Sequence, residues 1–359
     1  MDTALDIERY RVKHHQKIKL SRFSTRCDQE NMNKLEVKKV LMPKVITAMR
    51  DLQERLYAEK KYGLIFVLQA MDAAGKDGTI NHVFSQLNPS GLKVASFKTP
   101  NSEELSHDYL WRINRELPAR GEICVFNRSQ YEDVMVTRVH ELLKNGSMPQ
   151  ELVGDNIWAE RYEQIMNWEK YLYQNGFPMI KIFLHVSKKE QQQRLIDRII
   201  NKQKNWKFSV SDITERKYWD EYQRIYGEMI SKTSTDYAPW YIVPADNKWF
   251  TRYVVAHIVI RELQKLKPKF PPLSSEVVCQ LERFKELIQQ VDDVDELLDM
   301  SPEEMEAKEA ALEAQSKDQK ELVTETKGKK VVDKILERKE KSKGDTPAMM
   351  GWGGHSGRD

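Results

Sequence analysis

The sequence predicts an α/β protein built on a five-stranded parallel sheet, and three observations carry that expectation. Five short apolar runs, Leu64–Leu68, Leu92–Phe97, Ile123–Phe126, Met179–Val186 and Trp240–Val243, are mostly β-branched or aromatic and are bounded by Gly, Pro, Asn or Asp. Longer helical patterns separate them. The runs are near-continuously apolar, as strands covered by helices on both faces must be. Ligands of such sheets sit beyond the carboxyl ends of the strands. The candidate residues there are Met71-Asp72, Lys98-Thr99, Asn127-Arg128 and Ala245-Asp246.

Composition agrees with a large core and a heavily solvated surface. Of 359 residues, 40% are hydrophobic and 31% charged. The net charge of +3 is too small to argue for a nucleic-acid partner. No apolar stretch approaches the ~18 residues of a membrane span, and the first residues lack the apolar segment of a signal peptide. Cys27, Cys124 and Cys279 are far apart, which suggests neither a zinc site nor disulfides and fits a reduced, cytoplasmic setting.

In chain order, 33–60 predicts one helix with Leu35, Val40, Leu41, Val45, Met49, Leu52 and Leu56 as its apolar stripe. The first strand then breaks into a turn holding Gly75-Lys76, followed by a helical pattern. Strand, tight turn, Gly-Lys and helix is the layout of a phosphate-binding loop. Its backbone N–H groups, from Ala73 and Ala74 through Gly75, Lys76, Asp77, Gly78 and Thr79, would face an anion, and Lys76 would reach terminal phosphates. Ala70 and Asp77 replace the usual first glycine and Ser/Thr, so the match is loose. Asp72 inside such a turn would repel phosphate. Either it ligates Mg²⁺, which takes one or two carboxylates with phosphate oxygens and water, or it satisfies N–H groups of its own turn.

Ser102 is the expected cap of a helix after the second strand. After the third strand, Asn127, Arg128, Glu132 and Asp133 can serve phosphoryl charge, a metal or a base edge, or can simply open a capped helix. Ser187 to Glu190 is a capping-box pattern after the fourth strand. It opens a basic helical insertion over about 187–237 with Arg194, Arg198, Lys204 and Lys207. That run is either a solvated face or a lid that stabilises transferring charge. Arg194 and Arg198 are one turn apart, so both could face one phosphate. The Pro-rich stretch 268–272 divides 1–270 from a C-terminal extension, 271–359. Within the extension, 276–298 predicts an amphipathic helix with Val277, Leu281, Phe284, Leu287, Ile288 and Val291 apolar. A capping box at Ser301–Glu304, a charged helix or disorder to about 343, and a glycine-rich tail follow.

These strings resemble the family-2 polyphosphate kinases. Met71-Asp72-Ala73-Ala74-Gly75-Lys76-Asp77-Gly78-Thr79 is similar to that family's phosphate loop, and Phe126-Asn127-Arg128-Ser129-Gln130-Tyr131-Glu132-Asp133-Val134 to its second motif. Lys204-Asn205-Trp206-Lys207-Phe208 with Glu215 to Trp219 resembles its lid. Ala238 to Tyr241 and Pro244 to Trp249 resemble its last strand and turn. The resemblance spans about 10–268 and implies a three-layer P-loop kinase fold, usually in homodimers or homotetramers. It implies phosphoryl transfer between inorganic polyphosphate and AMP, ADP or ATP with Mg²⁺. By motif, Asp72 would bind Mg²⁺, Lys76 the phosphates and Arg128 the transferring group, with Arg198 on the lid. Asn127 with Glu132-Asp133 looks like the subgroup that phosphorylates AMP as well as ADP. The rival readings are an ATP-dependent nucleotide kinase and a non-catalytic binder of nucleotide or polyphosphate.

Overall fold

The structure is a computed structural model that describes residues 5–28, 32–288, 307 and 310. The chain divides into two compact units, Met1–Pro271 and Pro272–Asp359.

The first unit is built on β1 (Leu64–Gln69), β2 (Leu92–Ser96), β3 (Ile123–Asn127), β4 (Met179–His185) and β5 (Trp240–Pro244). All pairings are parallel, in the order β2-β3-β1-β4-β5. Each strand lies within one residue of its predicted span. Side-chain alternation assigns each face of the sheet its own core. Leu64, Phe66 and Leu68 of β1 join the larger core, while Ile65 and Val67 join a smaller one with Cys124, Phe126, Ile113 and Leu172. Helices Met42–Glu59 and Lys76–Val83 each pack on Lys248–Leu266, and Trp219–Thr233 packs on Glu132–Val139 and Ile157–Gln174. Chain direction reverses about β1, because the connection from β1 leads toward β2 and that from β4 toward β5. Such a switch point opens a crevice at the strand ends.

The β4 run contains one charged residue, and burial required a network for it. Lys181 Nζ lies 2.5 Å from Glu169 Oε2, 2.7 Å from the Thr233 carbonyl and 3.1 Å from the Tyr131 hydroxyl. Burial lowers the Lys181 pKa and raises that of Glu169. The N-terminal segment is drawn to β5 and to the residues just before and after it. Val12 N–H donates to the Trp240 carbonyl at 2.8 Å, Ser234 Oγ to the Val12 carbonyl at 2.9 Å, and Thr25 Oγ1 to Asp246 at 2.9 Å.

Three local expectations are corrected. The helix over 33–60 is interrupted by a π-turn, Val37–Leu41, where Met42 N–H reaches back five residues to the Val37 carbonyl. Pro43 lacks an N–H, and its ring crowds the carbonyl four residues back, so the turn widens there. The extra residue rotates the stripe: Val37 is buried, whereas Leu35 and Val40 are exposed. Next, Asn101 rather than Ser102 caps Ser102–Leu105, because Glu104 then completes a reciprocal capping box. Finally, Ser187 caps its helix through Glu190 N–H, but Ser187 N–H donates to Asp246 instead of Glu190.

In the second unit a helix spans Ser275–Ile288, and its Val277, Leu281, Phe284 and Ile288 are exposed. Val291, the capping box at 301–304, the charged run beyond it apart from 307 and 310, and the glycine-rich tail lie outside the described residues.

Candidate active site

The strand ends surround a cavity of about 870 Å³. Its lining comes from the turn after β1, from Ser96–Thr99, from Asn127 and Arg128, from the inserted segment between β4 and β5, and from the start of the helix Lys248–Leu266.

The turn after β1 is shaped by two left-handed residues, Ala73 (φ 59°) and Gly75 (φ 110°). Gly75 takes that conformation freely, whereas Ala73 is strained by about 1–2 kcal/mol. Ala74 N–H closes the turn on the Met71 carbonyl at 3.2 Å. Gly75 then caps Lys76–Val83, whose first N–H groups have no helical partner and face the cavity end of the dipole. Lys76 is buried, with Nζ 2.9 Å from the Ala70 carbonyl. Burial and then Arg128 lower its pKa, against the opposing pull of Asp72, Glu132 and Asp77.

Arg128 also has a left-handed backbone, φ 67°. That conformation lets its N–H pair with the Leu68 carbonyl at 3.1 Å while its side chain turns into the crevice. The guanidinium meets Asp72 Oδ1 at 2.8 Å and Glu132 Oε2 at 3.2 Å. Burial opposes its charge, but Glu132 and Asp72 more than offset that and hold it firmly protonated. Asn127 Nδ2 donates to Asp77 Oδ1 at 2.9 Å, and Lys207 lies 3.9 Å from the same carboxylate.

Glu132 and Asp133 do not line the cavity. Glu132 acts on it through Arg128. Asp133 turns to Arg112, 3.3 Å away, and its main-chain carbonyl accepts from Arg161; Arg112 in turn donates to the Lys98 carbonyl at 2.8 Å. Burial raises the Asp133 pKa to about 6, with both arginines working against that shift.

The inserted segment is helical throughout, from Lys188–Ile200 through short turns to Trp219–Thr233. Arg198 pairs with Asp212 at 2.6 Å and Lys204 with Asp197 at 2.5 Å. Arg194 lines the cavity together with Arg198, but its donors are engaged by the protein itself. It is 7% exposed and sits beneath the loop. It donates to the carbonyls of Ala73, Ala74, Ala245 and Asp246 at 3.2, 2.5, 2.6 and 3.1 Å, and to Glu190 at 2.8 Å. Buried Gln191 donates to the Asp72 carbonyl at 3.0 Å.

Lys248 and Arg252 were missed by sequence reasoning. Both line the cavity, and among the described residues neither makes an ion pair. Burial and then neighbouring cations lower both pKa values: Arg194 and Lys204 act on Lys248, and Arg194 on Arg252. The available signal was a second strand–turn–helix unit, β5 into Lys248, with cations spaced one turn apart at the helix start. Among the described residues no three His, Cys, Asp or Glu side chains converge as a preformed metal cage. No helix among them is long and apolar enough to cross a membrane.

Residues 32–271 match the family model described as Polyphosphate kinase 2. The chain is 42% identical to an ADP-polyphosphate phosphotransferase of Rhodopseudomonas palustris, over 79% of this chain and 96% of that protein. It is also 42% identical to an AMP/ADP-polyphosphate phosphotransferase of Meiothermus ruber, over 74% and 96% respectively. A crystal structure of Polyphosphate Kinase 2 from Arthrobacter aurescens superposes with a TM-score of 0.71 at 36% identity, covering 78% of this chain and 96% of that one.

Proposed function

The chain belongs to the polyphosphate kinase 2 family, and from that premise we propose that its cavity transfers a phosphoryl group from inorganic polyphosphate to AMP and ADP. The observation that carries this reading is the surplus of positive charge around the loop. Lys248 and Arg252 add unpaired cations to Lys76, Arg128, Arg198, Lys204 and Lys207 in one cavity. A donor with a charge on every phosphate needs cations well beyond those that grip one terminal phosphate. An ATP-dependent nucleotide kinase has less use for that track.

Phosphoryl transfer demands positioning and charge stabilisation more than covalent chemistry. Lys76 and the N–H groups of the turn hold phosphate oxygens. Arg128, fixed between Asp72 and Glu132, meets the transferring group bidentately. The segment over 187–237 serves as a lid that brings Arg198, Lys204 and Lys207 to the donor and excludes water. Mg²⁺ suits this donor set: Asp72 presents a cavity-facing carboxylate, and phosphate oxygens and water would complete its shell. Bound there, the ion would neutralise charge between Asp72 and the phosphates. Asn127 stands at the cavity wall, where its neutral amide suits a nucleotide oxygen better than a metal.

The test incubates pure protein with Mg²⁺ and either polyphosphate or ATP as donor, and AMP or ADP as acceptor. Separation of products should show ADP and ATP formed only when polyphosphate is present. Equal transfer from ATP to AMP without polyphosphate points to the ordinary nucleotide kinase, and no transfer at all to a binding protein.

A further inference from the structure

We infer that Arg194 and Gln191 are positioning residues, which hold the 72–75 turn in its anion-binding shape from behind and touch no phosphate. The inference rests on the phosphoryl-transfer reading above. A guanidinium has five N–H donors. All of those of Arg194 are taken within the protein, four by main-chain carbonyls and one by Glu190. Nothing remains to donate to a substrate.

The identity of the carbonyls gives the role. Gln191 takes that of Asp72, and Arg194 takes those of Ala73 and Ala74. In a trans peptide the C=O of one residue and the N–H of the next point in opposite directions. Drawing three successive carbonyls toward one helix face therefore turns the N–H groups of residues 73–75 the other way. Ala74 N–H is used by Met71. Those of Ala73 and Gly75 join the unpartnered N–H groups at the start of Lys76–Val83. Left-handed Ala73 and Gly75 give the turn the concave form that binds anions. Gly75 packs so near that a Cβ there would lie 3.5 Å from the Arg194 guanidinium.

The same guanidinium holds Ala245 and Asp246 after β5, so one side chain registers the turns after β1 and β5 from the helix after β4, the strand between them. Gln191 Oε1 accepts from Arg216 at 2.7 Å, which ties the turn to the far part of the inserted segment.

The test uses full-length Gln191→Leu, Arg194→Lys and Arg194→Ala proteins. Calorimetry measures inorganic tripolyphosphate binding over a salt series, and kcat, KM and melting temperature are measured alongside. Each substitution should lower tripolyphosphate affinity and kcat by about tenfold or more, since small misplacements in such sites are costly. The slope of log affinity against log salt should match wild type, because no cation that contacts phosphate is removed. Lysine should fail to rescue position 194, having no planar fork to span four carbonyls. Gln191→Leu, which alters no charge, should behave like Arg194→Ala. A shallower slope confined to the Arg194 variants, or rescue by lysine, would make Arg194 a phosphate ligand and overturn the inference. So would a lowered melting temperature with unchanged activity per folded molecule. If wild type binds tripolyphosphate but transfers nothing to AMP or ADP, the functional reading falls while the binding comparison still judges the clamp.

Discussion

Asp72 shows what a single side chain can decide. Its carboxylate lies in the phosphate turn, 2.8 Å from Arg128. Asp72→Asn should leave the fold intact and cut turnover by orders of magnitude, since metal-borne charge stabilisation is worth several kcal/mol. The measurement is kcat against Mg²⁺ concentration; near-wild-type turnover at saturating Mg²⁺ removes Asp72 from the mechanism. Asp133 yields a prediction of another kind. Burial raises its folded pKa to about 6 from the ordinary 3.8, so the folded state binds the extra proton between those values. Its contribution to stability therefore falls as pH rises from about 4 to about 6 and is constant above. Asp133→Asn abolishes that titration. The melting temperature of wild type relative to the variant should drop across this window, and a relative gain would show that the carboxyl is not held protonated. At this scale the sequence was only partly legible. The spacing of Arg194 and Arg198 placed them on one helix face. What it could not reveal is how each is engaged: both line the cavity, but the first is buried against the carbonyls of the loop while the second pairs with Asp212.

Among the elements, the five strands were readable because each is a dense apolar run with sharp boundaries. The bend in the first long helix was written in Pro43, yet a periodicity count treats a π-turn as noise. The helix Lys248–Leu266 was hidden for a different reason. Its cations sit among apolar residues of an ordinary core helix, and only the cavity distinguishes Lys248 and Arg252 from solvated lysines and arginines. If they hold the distal donor chain, Lys248→Ala and Arg252→Ala should each raise KM for long polyphosphate about three- to tenfold, in line with the ~1 kcal/mol of a partly exposed charged contact. Tripolyphosphate, too short to engage both the loop and this track, should be affected less. Kinetics with donors of graded length provide the check, and an equal effect at every length would assign the two residues to the terminal phosphates.

For the whole molecule, every residue lining the cavity belongs to the unit Met1–Pro271, and the family match ends at residue 271. A chain ended at residue 271 should therefore keep specific activity within about twofold, well short of the ~1.4 kcal/mol of a tenfold change. Activity assays with sedimentation of both forms decide it. Lost turnover in a folded, truncated protein would mean that the extension contributes to the site. The proline-rich stretch 268–272 lies at this boundary. The union of the N-terminal segment with β5 has no such marker in the sequence, since no local pattern records a hydrogen bond between Val12 and Trp240.

That union bears on biosynthesis. The phosphate turn leaves the ribosome early, but Ala245 and Asp246, which share its arginine, come last among its anchors. Thr25 waits 221 residues for Asp246. At about 5–20 residues per second, that is roughly ten to forty-five seconds of translation. For much of that interval, from the synthesis of the loop until that of Ala245 and Asp246, the nascent chain carries the loop sequence without the complete clamp that shapes it. A partly made molecule, still attached to the ribosome amid abundant cellular nucleotides, would stay chemically silent until the fifth strand arrives.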